Sequence, residues 1–267
     1  MTSRALRALR AVCLNHRANL VIGRVVKREG ESTRGIIPSG VALLDDWLTG
    51  FREGGAHLVT GGTGSGKSSL ALHFADAGAR RGQSVVMLVH GRADDVMSHA
   101  RFLGLKLDAP LRDHRLILLR YRSDFVHRAA HAVSPEEVVS DFARIISPHR
   151  PARLIIDTVS PLVTAGLPVG LVTSALADLL EQTGSTALLT FPEDLSAGYD
   201  RNLEPLVQGA AAVIRLTRED ANVRRAELVN IRYPAPSASV VRFVVRRDVG
   251  IVTDHPVRED RAVLTVQ

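Results

Sequence analysis

The stretch Gly61-Gly62-Thr63-Gly64-Ser65-Gly66-Lys67-Ser68 matches the pattern G-x-x-x-x-G-K-[ST]. It follows an apolar run that is predicted to be a strand, His57–Thr60, and it opens a helical pattern over Lys67–Arg80. Glycines let the backbone curl so that several N–H groups point inward, where they can bind phosphate oxygens. The start of the helix adds the positive end of its dipole. The stretch therefore predicts a phosphate-binding loop between a strand and a helix.

Two side chains of this loop have predicted roles. We expect Lys67 to reach the β- and γ-phosphates of a nucleoside triphosphate, and Ser68 to offer its hydroxyl to Mg²⁺. Only Lys27 and Lys106 are further lysines among 34 basic residues, so a lysine at this position indicates a chemical requirement. ATP with Mg²⁺ is the predicted ligand, although GTP stays an alternative. The predicted nucleotide-binding residues are Gly61, Gly62, Thr63, Gly64, Ser65, Gly66, Lys67, Ser68 and Ser69.

A second apolar strand pattern, Arg153–Asp157, ends in a carboxylate. In proteins with phosphate loops, an aspartate at the C-terminal end of a strand holds Mg²⁺, often through water. That end of the strand is also where ligands bind in open α/β sheets. Asp157 is therefore the predicted metal partner beside Ser68, with a simple turn-capping aspartate as the alternative.

Short apolar runs alternate with helical patterns along most of the chain, which implies βαβ crossovers and a largely parallel sheet. Further predicted strands are Ser84–Val89, Arg115–Tyr121 and Thr186–Thr190, and further predicted helices are Asp94–Leu103, Ser134–Ile146 and Gly170–Gln182. Four strand patterns with short connections follow: Ala211–Leu216, Arg224–Ile231, Ser239–Arg247 and Ile251–Thr253. The sequence thus predicts an α/β fold with a mostly parallel central sheet, helices on both faces and a C-terminal antiparallel meander.

The composition is that of a globular protein, with 45% apolar and 23% charged residues in 267. The single cysteine, Cys13, fits a reducing compartment, and no apolar run is long enough to span a membrane. A cytoplasmic protein is therefore expected.

Residues 1–34 are predicted to form a basic N-terminal arm ahead of a domain over residues 35–267. Arg4, Arg7 and Arg10 lie at helical spacing beside apolar residues, which predicts a helix with a basic stripe next to an apolar one. Such an arm can bind a protein partner or a membrane surface. A packing helix with a solvated face and an organelle transit peptide are the alternatives.

These elements resemble the RecA superfamily, and within it the KaiC/RadA-like branch. The likeness covers about residues 35–253 and is carried by Ile37–Leu48, Val59–Leu72, Leu154–Leu162 and Leu203–Leu216. The resemblance implies a RecA-like P-loop NTPase fold and a homo-oligomeric ring or filament. It also implies that ATP is bound at subunit interfaces and hydrolysed there, with an arginine supplied by the adjacent protomer.

The resemblance assigns that arginine to Arg232. It stands in Asn230-Ile231-Arg232, where Asn230 replaces a lysine of the family. An arginine there would stabilise charge that develops on the γ-phosphate. A strand-end arginine in solvent is the alternative.

The chain departs from the family after Val89. The family carries one or two glutamates there, which activate the attacking water, whereas this chain has His90 and Gly91. Asp94 and Asp95 follow a few residues later and are predicted to be the N-cap and a first-turn acid of the next helix. His90 and Glu193 are the remaining candidate bases. Slow or absent hydrolysis is therefore predicted.

Two classes of function are compatible with these features. One is a KaiC-like nucleotide-dependent regulator or assembly factor, and the other is a RadA/RecA-like recombination or repair protein that binds DNA. The net charge of +6 alone decides little between them, and the basic, aromatic segment Arg120–Arg128 could stack bases, with a solvated connection as the favoured alternative. Val159–Val169 carries no charge and Phe191–Glu204 is mainly acidic, which disfavours phosphate binding by these loops. The regulator is therefore the favoured prediction.

Overall fold

The structure is a computed structural model, and it describes residues 35–121, 131–132, 134–163, 169–192, 204–231 and 238–254. The predicted N-terminal arm, residues 1–34, lies outside these residues, and so does most of the segment Arg120–Arg128. None of the described helices has the length and apolarity needed to cross a membrane.

The first half of the described chain contains β1 (Ile36–Ile37), α1 (Ala42–Leu48), β2 (Phe51–Arg52), β3 (Ala56–Gly61), α2 (Lys67–Arg80), β4 (Val85–Val89), α3 (Ala93–Phe102), α4 (Asp108–Arg112) and β5 (Leu116–Arg120). The second half contains α5 (Pro135–Ile146), a short 3-10 helix (Ser147–His149), β6 (Arg153–Asp157), α6 (Ser160–Val163), α7 (Val169–Thr183), β7 (Thr186–Pro192), α8 (Glu204–Gly209), β8 (Ala212–Arg218), β9 (Val223–Ile231), β10 (Val240–Arg246) and β11 (Gly250–Thr253).

Within the described residues, the helices and strands predicted from periodicity are found within two residues of their expected ends. Ser134 caps α5 as predicted, because its hydroxyl accepts a hydrogen bond from the Glu137 N–H at 3.3 Å. The prediction that Asp94 is an N-cap is wrong. α3 begins at Ala93 with Arg92 in the N-cap position, so Asp94 and Asp95 both belong to the first turn.

The main sheet has the strand order β11-β10-β9-β8-β3-β7-β6-β4-β5. Strands β8, β3, β7, β6, β4 and β5 are parallel neighbours, whereas β9, β10 and β11 continue the sheet as an antiparallel meander. The predicted sheet and meander are thereby confirmed. Because parallel strands point the same way, the C-terminal ends of β3, β4, β6 and β7 meet at one edge.

Alternate residues of the strands divide the core between the two faces of the sheet. Ile155 of β6 belongs to the core cluster that includes Phe74 of α2. Its neighbour Ile156 belongs to a second cluster, with Phe142 of α5 and Leu176 of α7. Helices therefore cover both faces, as the alternation of strand and helix patterns predicts.

Arg153, the first residue of β6, is buried in this core. Its Nη1 group donates hydrogen bonds of 3.0 Å to the carbonyl oxygens of Pro38 and Phe74, and its Nε donates to Gln83 Oε1 at 2.8 Å. The guanidinium also lies 4.4 Å from the centre of the Phe74 ring. Burial lowers the pKa of Arg153 to about 10, so the side chain stays charged at neutral pH. Gly78 leaves the space, because a Cβ there would lie 2.5 Å from Arg153 Cδ.

Replacing Arg153 with methionine should lower the free energy of unfolding by about 3 kcal/mol, because buried carbonyl groups lose a charged donor. Urea denaturation of the purified protein measures this change. The matched control is Arg112→Met at the exposed end of α4, which should shift stability by less than about 0.5 kcal/mol. Equal effects of the two substitutions would contradict the anchoring role of Arg153.

Two buried histidines tie other elements together. The His57 ring stacks on Phe51 with centroids 4.1 Å apart, and its Nε2 accepts a hydrogen bond from the Arg52 N–H at 3.1 Å. His73 Nε2 in α2 accepts from the Ile251 N–H of β11, also at 3.1 Å. Burial lowers the pKa of both histidines to about 4. Both imidazoles are therefore neutral in the folded protein at neutral pH.

These pKa shifts predict that stability falls in mild acid. Between pH 6.5 and about 4 the unfolded chain binds more protons at these histidines than the folded chain does. Each histidine therefore contributes up to about 3 kcal/mol that is complete above pH 6.5 and is lost as the pH falls to about 4. His57→Gln keeps an acceptor but does not titrate, so its unfolding free energy should depend less on pH than that of the wild type.

Urea denaturation at several pH values between 7 and 4 measures this difference. His149→Gln, in the short 3-10 helix, provides the matched control and should keep the wild-type pH dependence. A His57→Gln variant whose pH dependence equals that of the wild type would disprove the assignment.

Candidate functional site

The predicted phosphate loop connects the end of β3 to the start of α2, in the middle of the sheet. At Gly61, where φ is 150°, a Cβ would lie 2.1 Å from the carbonyl oxygen of Leu216 in β8. Gly66 is the N-cap of α2 with a φ of 104°, in the left-handed region that favours glycine. The curl of the loop thus depends on glycine at both ends.

The Lys67 ammonium lies across this loop. Its Nζ donates hydrogen bonds to the carbonyl oxygens of Gly61 at 2.5 Å and Gly62 at 2.8 Å. The hydroxyl of Ser65 is buried within the loop and has no hydrogen-bond partner among the described residues. The loop therefore presents a positive charge and an unsatisfied polar atom, which suits an anionic ligand with several oxygens.

Asp157 stands at the end of β6, at the same edge of the sheet. Its Oδ1 accepts a hydrogen bond of 2.6 Å from the hydroxyl of Thr190, a buried residue of the neighbouring strand β7. Its carbonyl oxygen accepts from the His90 N–H at 3.2 Å, just beyond the end of β4. Thr190 therefore fixes the orientation of the carboxylate, a contact between neighbouring strands that no sequence motif indicates.

The side-chain oxygen atoms available at this edge are of the kind that Mg²⁺ prefers, whereas transition metals prefer nitrogen and sulfur ligands. Ser68 and Asp157 offer a hydroxyl and a carboxylate, and Mg²⁺ typically takes one or two such ligands together with phosphates and waters. Over the part of the chain that the structure describes, no group of three or more His, Cys, Asp or Glu side chains is placed to hold a metal.

Two residues near Asp157 were not predicted from the sequence. His99 of α3 has its Nε2 3.1 Å from the hydroxyl of Ser69, in the first turn of α2. Burial lowers the pKa of His99, and the negative charge of Asp157 opposes this shift. Burial raises the pKa of the Tyr121 phenol, and Asp157 raises it further. His99 belongs to no motif, and Tyr121 was singled out only within the basic, aromatic segment Arg120–Arg128, so neither was predicted at this site.

Two arginines of the meander also lie beside the loop. Arg224 Nε donates a hydrogen bond of 3.0 Å to the carbonyl oxygen of Gly64, at the tip of the loop. Arg218 faces Arg224 across the β8–β9 pair and donates to the carbonyl oxygens of Asp220 and Ala221. Burial lowers the pKa of Arg224, and the charge of Arg218 lowers it further. Both cations therefore belong to the same chain as the loop that they adjoin.

Of the candidate catalytic residues, Lys67 lies in the loop, and His90 stands at the same edge of the sheet, where its N–H donates to the Asp157 carbonyl oxygen. His90 is exposed just after β4, and Glu193 and Arg232 lie outside the described residues. β9 ends at Ile231, which pairs with Ala212 at the start of β8. The end of β9 therefore lies at the edge of the sheet opposite to the phosphate loop.

Comparison with known proteins agrees with this architecture. The family model described as "ATPase: KaiC" matches residues 37–255. The crystal structure of a KaiC-like protein from the hyperthermophilic archaeon Pyrococcus horikoshii OT3 is similar, with a TM-score of 0.66 and 24% sequence identity. The match covers 83% of this chain and 99% of that chain. The comparison with curated proteins finds no match. The chain belongs to the KaiC ATPase family, within the RecA superfamily of P-loop ATPases.

Proposed function

We propose that this protein binds ATP with Mg²⁺ through residues 61–69 and acts as a nucleotide-dependent regulator or assembly factor that hydrolyses ATP slowly or not at all. The observation that carries the proposal is the Lys67 ammonium, held across the curled loop by the Gly61 and Gly62 carbonyl groups. Phosphate oxygens compete well for such a cation, because the loop N–H groups and the start of α2 attract the same anion.

The metal would be held by Ser68 and by Asp157, whose carboxylate Thr190 orients. When bound, Mg²⁺ neutralises charge on the β- and γ-phosphates. Arg218 and Arg224 add two positive charges at the tip of the loop, which strengthens the attraction for a polyphosphate. Binding therefore draws on groups from β6, β7, β8, β9 and α2 of one chain.

We expect slow hydrolysis because of the two residues that directly follow β4. A carboxylate in that place would accept the proton of the attacking water, and this chain has the exposed His90 and Gly91 instead. The nearest acids along the chain, Asp94 and Asp95, are exposed in the first turn of α3. The described part of the chain therefore supplies groups that bind the nucleotide, whereas it has no carboxylate directly after β4 that would assist hydrolysis.

We also propose that the protein forms a ring or filament in which Arg232 contacts the nucleotide of a neighbouring protomer. The end of β9 supports this, because Ile231 lies at the edge of the sheet opposite to the loop of its own chain. Light scattering that shows a monomer with ATP, with ADP and without nucleotide would contradict the ring or filament.

The N-terminal arm is proposed to bind a protein partner, and the cytoplasm is the proposed location.

The DNA-binding alternative gains no support from the described meander. Arg215 and Arg225 lie within 4 Å of Glu227, and Arg242 contacts Glu219 at 2.8 Å. These ion pairs reduce the positive charge that a phosphate backbone would meet. ATP-dependent DNA binding with a steep salt dependence would reverse this preference.

Calorimetry with Mg·ATP tests the binding proposal. The wild type should bind Mg·ATP, and Lys67→Ala should weaken binding about 10- to 100-fold, because a charged hydrogen-bond donor to the phosphates is lost. Lys106→Ala, which removes an exposed lysine of the same chain, is the matched control and should bind as the wild type does. Failure of the folded wild type to bind, or wild-type affinity in Lys67→Ala, would disprove the proposal.

Phosphate release under saturating Mg·ATP tests the second half of the proposal. Turnover should stay below about 0.1 s⁻¹, under the usual range of phosphoryl-transfer enzymes, because His90 and Gly91, and not a carboxylate, directly follow β4. His90→Ala should then change the rate by less than about threefold, since general base catalysis would contribute at least about 100-fold. A turnover above about 1 s⁻¹ that is lost in His90→Ala would show that His90 is a base and that hydrolysis is efficient.

A further inference from the structure

His99 contacts the nucleotide site from a firmly held helix. Met97 and Ala100, on either side of it in α3, are buried in the core. The end of the same helix is fixed as well, because the Phe102 carbonyl oxygen accepts a hydrogen bond of 2.8 Å from the Asp248 N–H. The half-buried imidazole therefore projects from a helix whose position is set independently of the loop.

The partner of His99 is part of the predicted phosphate site. Ser69 is buried, and its hydroxyl lies 3.1 Å from His99 Nε2. It directly follows Ser68 and stands in the first turn of α2, whose N–H groups are directed towards the loop. A restraint on Ser69 therefore acts on Lys67 and Ser68, which are its neighbours in the same helical turn.

We propose that His99 is a positioning residue of the nucleotide site, which acts by holding the Ser69 hydroxyl. This inference rests on the proposed function, because it assigns a supporting residue to the same site. Fixing the first turn of α2 before the ligand arrives reduces the loss of conformational freedom on binding. The histidine that supports the site is thus His99, whereas His90 stands exposed just after β4.

A double-mutant cycle tests the contact. Mg·ATP affinity is measured by calorimetry for wild type, Ser69→Ala, His99→Leu and the double variant. Each single substitution should weaken binding about 3- to 10-fold, the range of one neutral hydrogen bond, and the double variant should be about as weak as either single variant. His99→Gln, whose amide group replaces Nε2, should retain most of the affinity, and the distant His149→Gln should retain all of it.

Three outcomes separate this inference from the proposed function. If the wild type does not bind Mg·ATP, the proposed function itself fails. If the wild type binds and Lys67→Ala does not, but His99→Leu binds as the wild type does or the two single effects multiply in the double variant, His99 has no positioning role. The same conclusion follows if urea denaturation shows that His99→Leu and His99→Gln lose stability and affinity in parallel.

Discussion

The close approach of the phosphate loop to β8 is the constraint on which the site depends. The chain leaves β3 at Gly61 directly against the carbonyl oxygen of Leu216, with no room for a side chain. β3 can run there because β7 and β8 flank it on either side as parallel neighbours. The site is thus built into the centre of the sheet, where the strands that carry Asp157 and Thr190 end beside it.

Local patterns in the sequence were sufficient for most of the fold. The loop motif, the periodicity of the strands and the Ser134 cap involve residues close together in the chain, so each could be recognised alone. The two-residue strands β1 and β2 and the five-residue helix α4, which is less than two turns long, are too short to show a period. The N-cap of α3 was misplaced because Asp94 is a good capping residue by type, yet the helix begins one residue before it.

The unpredicted part of the site joins residues that are distant in sequence. His99 meets Ser69 across 30 positions, Thr190 meets Asp157 across 33, and Arg224 meets Gly64 across 160. No spacing rule connects such pairs, because strand order and helix packing determine them. Phosphate binding could therefore be inferred from one motif, whereas the residues that support the loop and Asp157 could be identified only from the tertiary structure.

The buried guanidinium of Arg153 restricts which residue types can occupy positions 78 and 153 together. A methyl group at Gly78 would lie 2.5 Å from Cδ and 2.8 Å from Nε of the arginine, with Val85 also close at 2.9 Å. A relative with a larger residue at the position of Gly78 therefore has no room for the arginine at the position of Arg153. The carbonyl groups to which Arg153 donates here then need other hydrogen-bond donors. These two sites should covary, although 75 positions separate them in the chain.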